Sequence, residues 1–109
     1  MNTDIKVISP QGILDGTQAK EFRKEVDQSL KEGSKIILVD FSDVTFMDSS
    51  GLGALVLALK AIRSNGSKIM LCSINEQVTM LFELTSMDKV FKIFADQEEF
   101  KNNVYNLTE

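Results

Sequence analysis

Histidine and tryptophan are both missing from the 109 residues of this chain. Without an imidazole there is no Ser-His-Asp or Cys-His hydrolase, no His-ligated zinc site and no histidine phosphorelay. Carboxylate, lysine or cofactor chemistry stays open. Cysteine occurs once, so no disulfide can form within the chain. Cys72 sits in the apolar run Ile69-Met70-Leu71-Cys72 and reads as a buried thiol in a strand rather than a nucleophile. Long apolar runs are missing too. The longest are Ile36-Ile37-Leu38-Val39 and the stretch from Leu52 to Leu59, well short of the roughly 18 residues a membrane span needs. There is no basic excess either: 12 Lys and Arg stand against 16 Asp and Glu, for a net charge of −4. That balance argues against nucleic acid, which is held by neutralising its phosphates. Lys20, Arg23, Lys24 and Lys31 alternate with Glu21, Glu25, Asp27 and Glu32, the pattern of a solvated helix face. The start, Met1-Asn2-Thr3-Asp4, has no basic region followed by an apolar one, so no signal peptide and a cytoplasmic location are expected.

Length and composition fit one globular domain over residues 1–109. Two periodicities alternate along it. Ile5 to Ile8 reads as a short strand stopped by Ser9-Pro10, and Gly12-Ile13-Leu14 as an extended segment pairing with it in a hairpin. Asp15-Gly16-Thr17 leads into a helix whose inward positions are Ala19, Phe22, Val26 and Leu30, ended by Gly33. Ile36 to Asp40 is an uninterrupted apolar strand, the kind covered on both faces. After a turn at Phe41-Ser42-Asp43, Val44 to Met47 forms another strand. Asp48-Ser49-Ser50-Gly51 then opens a long helix carrying Leu52, Leu55, Val56, Leu59 and Ile62, closed by Asn65-Gly66. Lys68 to Ser73 is a buried strand. Asn75 caps a third helix, with Val78, Leu81 and Phe82 inward, and Val90 to Phe94 is a last strand. Asp96 to Glu99 has capping-box character ahead of a helix bearing Phe100, Val104 and Leu107. The expected fold is therefore α/β: a small mixed, mainly parallel sheet of about five strands flanked by four helices. Met80, Leu84 and Met87 fall off the inward stripe of the third helix, and packing under the following loop is the expectation for them.

One stretch carries chemistry. In Asp40-Phe41-Ser42 through Asp48-Ser49-Ser50-Gly51-Leu52-Gly53, a strand gives way to a hydroxyl-rich turn feeding straight into a helix N-terminus. The first amides there lack intrahelical partners and the dipole is positive, so a phosphate on a serine would meet donors and a favourable field. Gly51 and Gly53 leave the approach open to another protein's surface. Spacing alone favours the plainer reading, an Asp48 or Ser49 N-cap and a Gly51 marking tight helix–sheet packing.

That stretch resembles the signature of the STAS domain of bacterial anti-sigma-factor antagonists, and the similarity runs from Gly12-Ile13-Leu14-Asp15 to the last helix. The resemblance implies a non-enzymatic protein without cofactor or metal. It implies binding to a serine kinase that doubles as an anti-sigma factor and phosphorylates the second serine of the motif, Ser50. A metal-dependent serine phosphatase would reverse this. The unphosphorylated form would capture the kinase and free a sigma factor; the phosphorylated form would let go. Asp48, Ser49, Ser50, Gly51, Leu52 and Gly53 would meet the partner, with Asp48 orienting the serine or touching the partner, and the protein would be a monomer. STAS modules of stress-sensing and transport complexes are the alternative within the same fold. A receiver domain phosphorylated on Asp40 or Asp48 lacks its acidic pair, because the first strand runs into Ser9-Pro10. A hydrolase with Ser49 or Ser50 as nucleophile lacks both the Gly-x-Ser-x-Gly elbow and a histidine base. No Gly-Lys-Ser/Thr loop or Gly-x-Gly-x-x-Gly pattern offers a nucleotide site.

Overall fold

A computed structural model describes residues 4–108, with side chains through Val104. The elements are β1 (Ile5–Ile8), β2 (Gly12–Leu14), α1 (Gly16–Lys31), β3 (Ile36–Asp40), β4 (Val44–Met47), α2 (Ser49–Ser64), β5 (Lys68–Cys72), α3 (Glu76–Thr85), a 3-10 turn (Met87–Lys89), β6 (Lys92–Phe94) and α4 (Gln97–Thr108). They form a four-stranded sheet in the order β1-β3-β5-β6 and a separate pair, β2-β4. Among the described residues every strand pairing is parallel.

The expected hairpin between the first two strands does not form. β1 pairs with β3, Ile5 opposite Ile36, while β2 pairs with β4, Ile13 opposite Phe46 and Leu14 opposite Met47. The reason lies in the link between them. Pro10 has no N–H to donate to a ladder, and Gly12 turns the chain at φ +72° while its own N–H goes to Asp43 O at 2.9 Å. The chain thus leaves the main sheet and starts a second one against β4. The six strand segments therefore divide between two sheets. The last strand is shorter than Val90–Phe94, because Val90 and Phe91 donate to Met87 O and close the 3-10 turn instead.

Helix boundaries follow their capping chemistry. Asp15 Oδ1 accepts from the Thr17 N–H at 2.9 Å and from the Thr17 hydroxyl at 2.6 Å, starting α1; Gly33 at φ +88° and Gly66 at φ +79° follow the ends of α1 and α2. β3 is buried along its whole length and its side chains alternate between two cores. Ile37 and Val39 join Ile69 and Leu71 beneath Phe22 and Val26 of α1, Leu55 and Ile62 of α2, and Phe82 of α3. Ile36 and Leu38 join Met70, Cys72 and Phe94 beneath Phe100 and Val104 of α4, where Phe94 and Phe100 meet edge-on at 5.6 Å. The side chain of Leu107 lies outside the described residues. On α2, Ala58 is buried and Val56 only half-buried, a slight rotation of the expected stripe. Met87 packs against the core, but Met80 and Leu84 are exposed, at 59% and 83%; the loop after α3 tightens into the 3-10 turn and does not cover them.

Asp40 ties the two layers together at the end of β3. One carboxylate oxygen accepts from the Ser42 N–H at 2.9 Å and the other from Gln97 Nε2 of α4 at 2.6 Å. Burial alone would raise its pKa, but the bonds from Gln97 and Ser42 outweigh that and hold it below the usual carboxylate value. A folded-state pKa below the unfolded one means stability present above the unfolded pKa and lost as pH falls through the lowered folded value. Unfolding free energy should therefore decline below about pH 4, the ordinary carboxylate range. Asp40→Asn should flatten that acid limb in urea titrations run at successive pH values. An unchanged limb would show that other carboxylates dominate it.

Candidate functional site

The turn between β4 and α2 is held from three directions. Asp48 is the N-cap of α2, in extended conformation at φ −103°, and its Oδ1 accepts from the Gly51 N–H at 2.9 Å. From α3, Gln77 clamps the buried Met47: the Met47 N–H donates to Gln77 Oε1 and Gln77 Nε2 donates to Met47 O, both at 2.8 Å. Asn75, the cap of α3, donates to Val44 O at 3.2 Å and Thr45 O at 3.3 Å. From β2, Leu14 O accepts from the Asp48 N–H at 3.4 Å. Polar side chains at the start of α3 thus complete the ladder of β4, a role invisible in the sequence because nothing local pairs residue 77 with residue 47. Gln77→Ala would leave two main-chain groups of a buried residue unpaired. We expect a loss of about 1–3 kcal/mol, measured as a lower melting temperature. Gln28→Ala, whose partner Glu32 is on the surface, should change little.

The six motif residues do not share one environment. Ser49, Ser50 and Gly53 are exposed and Asp48 is half-buried, whereas Gly51 and Leu52 are inside. The expectation that Gly51 clears an approach for another protein is corrected here. A Cβ on Gly51 would overlap the Leu14 carbonyl oxygen and lie 2.8 Å from its carbon and 3.2 Å from Met47 Cγ, so the glycine admits the chain's own β2. Gly53 has nothing within 4 Å and remains an open spot on the surface. Ser42 is exposed at the preceding turn and donates its N–H to Asp40, which lies inside.

Ser50 occupies the first turn of α2, which carries no acidic residue of its own. Its hydroxyl has no hydrogen-bond partner among the described residues. The start of α1 stands beside it: a Cβ on Gly16 would be 3.8 Å from Ser50 Cβ. Two helix N-termini therefore converge on this serine, from β2 and from β4. Cys72, by contrast, is buried, and burial pushes its thiol up to about 11, far from a thiolate at neutral pH. No group of three or more Cys, Asp or Glu able to hold a metal occurs among the described residues. Among those residues, too, no helix is long and apolar enough to cross a membrane.

The family model described as the STAS domain matches residues 1–100. The chain belongs to the STAS family. This STAS domain is 37% identical over 102 residues to a Thermotoga maritima protein described as a candidate anti-sigma factor antagonist, covering 93% of this chain and 90% of that one. It is 29% identical to the anti-sigma-B factor antagonist of Listeria monocytogenes, covering 94% and 90%. The crystal structure of a candidate anti-sigma factor antagonist from Thermotoga maritima superimposes with a TM-score of 0.85 at 34% identity, over 94% of this chain and 88% of that one. The expected arrangement of a mainly parallel sheet with four helices is thus the STAS fold.

Proposed function

We propose that this STAS domain is an anti-sigma-factor antagonist whose hold on its partner is set by phosphorylation of Ser50. The partner is an anti-sigma factor that is also a serine kinase, and a metal-dependent serine phosphatase restores the free hydroxyl. The observation that carries this reading is the setting of Ser50: exposed, without an internal partner, and at the positive end of a rigidly held helix. The names of the relatives support the anti-sigma-factor half of it. The protein acts as a monomer in the cytoplasm and supplies a surface rather than a reaction. Its phosphate comes from an enzyme in trans.

The test is incubation of the purified protein with ATP and magnesium, with and without a lysate of its own organism, followed by intact-mass spectrometry. A single added phosphate that requires the lysate is the expected result. Phosphate gained by the purified protein alone would overturn the non-enzymatic reading. The alternative, a STAS module serving a transport or stress-sensing complex, is favoured by no particular feature of the site.

A further inference from the structure

The main sheet ends at β1, and that end is open. Asp4 O accepts from the Ile36 N–H at 3.0 Å, so residue 4 turns its carbonyl toward β3. Successive residues of a strand turn their main-chain groups to opposite sides. Lys6 and Ile8 therefore bond toward β3, while Ile5 and Val7 point two N–H and two C=O groups away from the sheet. No bond reaches those four groups among the described residues. Apart from Lys6, the usual guards of an edge are missing from this strand: its register with β3 is regular, without a bulge, and Pro10 lies beyond it.

The two sides of this edge differ in chemistry. Toward α4, Ile5, Val7 and Leu38 line an apolar groove of about 340 Å³ with Phe100 and Val104, and Val7 is 39% exposed. Toward α1, Lys6 lines a polar groove of about 510 Å³ with Glu21, Lys24, Glu25 and Lys31. Lys6 has no ion pair among the described residues, and in this groove Lys24 and Lys31 offset Glu21 and Glu25. Neither groove includes a residue of α2 or β4, so this edge stands apart from Ser50.

We propose that β1 accepts an added strand: an extended segment of another protein with an acidic residue between two apolar ones. A row of free main-chain groups is satisfied by an extended backbone, whereas a helix has already paired its own. Side chains of an added strand alternate as those of β1 do. Residues opposite Ile5 and Val7 enter the apolar groove, and the one between them lies beside Lys6. An acid there meets an unpaired ammonium. A second copy of this chain fits poorly. Pairing two β1 strands through Ile5 and Val7 sets Lys6 against Lys6, and each Ile5 is already packed on its own core.

The probe is the capped peptide Thr-Val-Glu-Val-Thr, titrated into the nitrogen-15-labelled full chain. The expected result is a dissociation constant below about 1 mM, with shifted and more slowly exchanging amides at Ile5 and Val7. Lysine in place of the peptide's glutamate should weaken binding about fivefold or more, and Lys6→Glu should reverse that preference. Val7→Pro removes one outward N–H and nothing that faces β3. Edge strands tolerate proline in that orientation, so the fold should melt close to wild type while peptide binding is lost. If the proline does unfold the strand, the charge reversal at Lys6, an exposed side chain, decides alone. Unmoved Ile5 and Val7 amides at millimolar peptide overturn the proposal. So does binding that survives in a folded Val7→Pro variant, or a Lys6→Glu variant that keeps the wild-type preference. A wild type that ignores the peptide but self-associates in sedimentation runs, and is made monomeric by Val7→Pro, assigns the edge to a second copy and also overturns it.

Discussion

Replacing Ser50 by alanine is expected to abolish phosphate incorporation entirely, while Ser49→Ala remains labelled. The two hydroxyls are adjacent and both exposed, so accessibility does not separate them. Position does: Ser50 is the one whose Cβ neighbours the start of α1, placing it between two positive helix ends. A phosphate there adds about −1.5 to −2 charges to a chain already at −4. Amides of the first turn and the helix field offset that charge internally, so the fold should barely move. On the proposed reading the change would be felt at the surface, as repulsion and bulk toward the kinase. Ser50→Ala should therefore bind the kinase well and never release, and Ser50→Asp, with less charge and volume, should weaken binding only in part. Site mapping by mass spectrometry, calorimetry on the three forms and parallel melting curves check each step. Label confined to Ser49 or Ser42 would remove Ser50 from the mechanism. Loss of binding only because the phosphorylated domain melts would remove surface repulsion.

Gly51→Ala is expected to be the most damaging single methyl in the protein. The added Cβ would run into the Leu14 carbonyl, and main chain has little room to retreat when β2 is paired to β4 and Asp48 also donates to that same oxygen. Overpacking of ordinary side chains costs typically 1–3 kcal/mol; a clash with backbone belongs at or above the top of that range. At about 4–8 °C per kcal/mol for a domain near this size, a drop in melting temperature of roughly 15 °C or more follows. Gly53→Ala, two residues further on but facing open space in an exposed helical position, should be neutral or stabilising by up to about 1 kcal/mol. Equal melting temperatures for the two variants would show that β2 does not press on α2 as described.

Much of this fold is legible in the sequence. The apolar run of β3, the spacing of three and four along α1 and α2, and the Asp48 cap are local signals, and local signals survive folding because they arise from backbone hydrogen bonding and side-chain period. What the chain could not announce was pairing at a distance. Ile5 to Ile8 and Gly12 to Leu14 look like hairpin strands because they are close in sequence, yet each finds a parallel partner some thirty residues away. The same holds in the site. A glycine before a helix stripe reads equally as an opening for a partner or as a slot for the chain's own backbone, and only the position of Leu14 decides. Met80 and Leu84 stay exposed for a related reason: how the loop closes depends on the Met87 carbonyl taking two amides, which composition does not reveal.

The clamp of Gln77, Asn75 and the Leu14 carbonyl on β4 and the junction residue Asp48 has a kinetic meaning. A recognition element that must first be ordered binds slowly, or at reduced affinity, because its freedom is surrendered at the moment of contact. Here that freedom has already been given up during folding, so a partner meets a finished surface and no rearrangement stands between encounter and complex. Exchange between partners is then timed by how quickly the existing complex falls apart. On the reading proposed above, such a domain would respond to a change in phosphorylation as fast as its bound partner can leave.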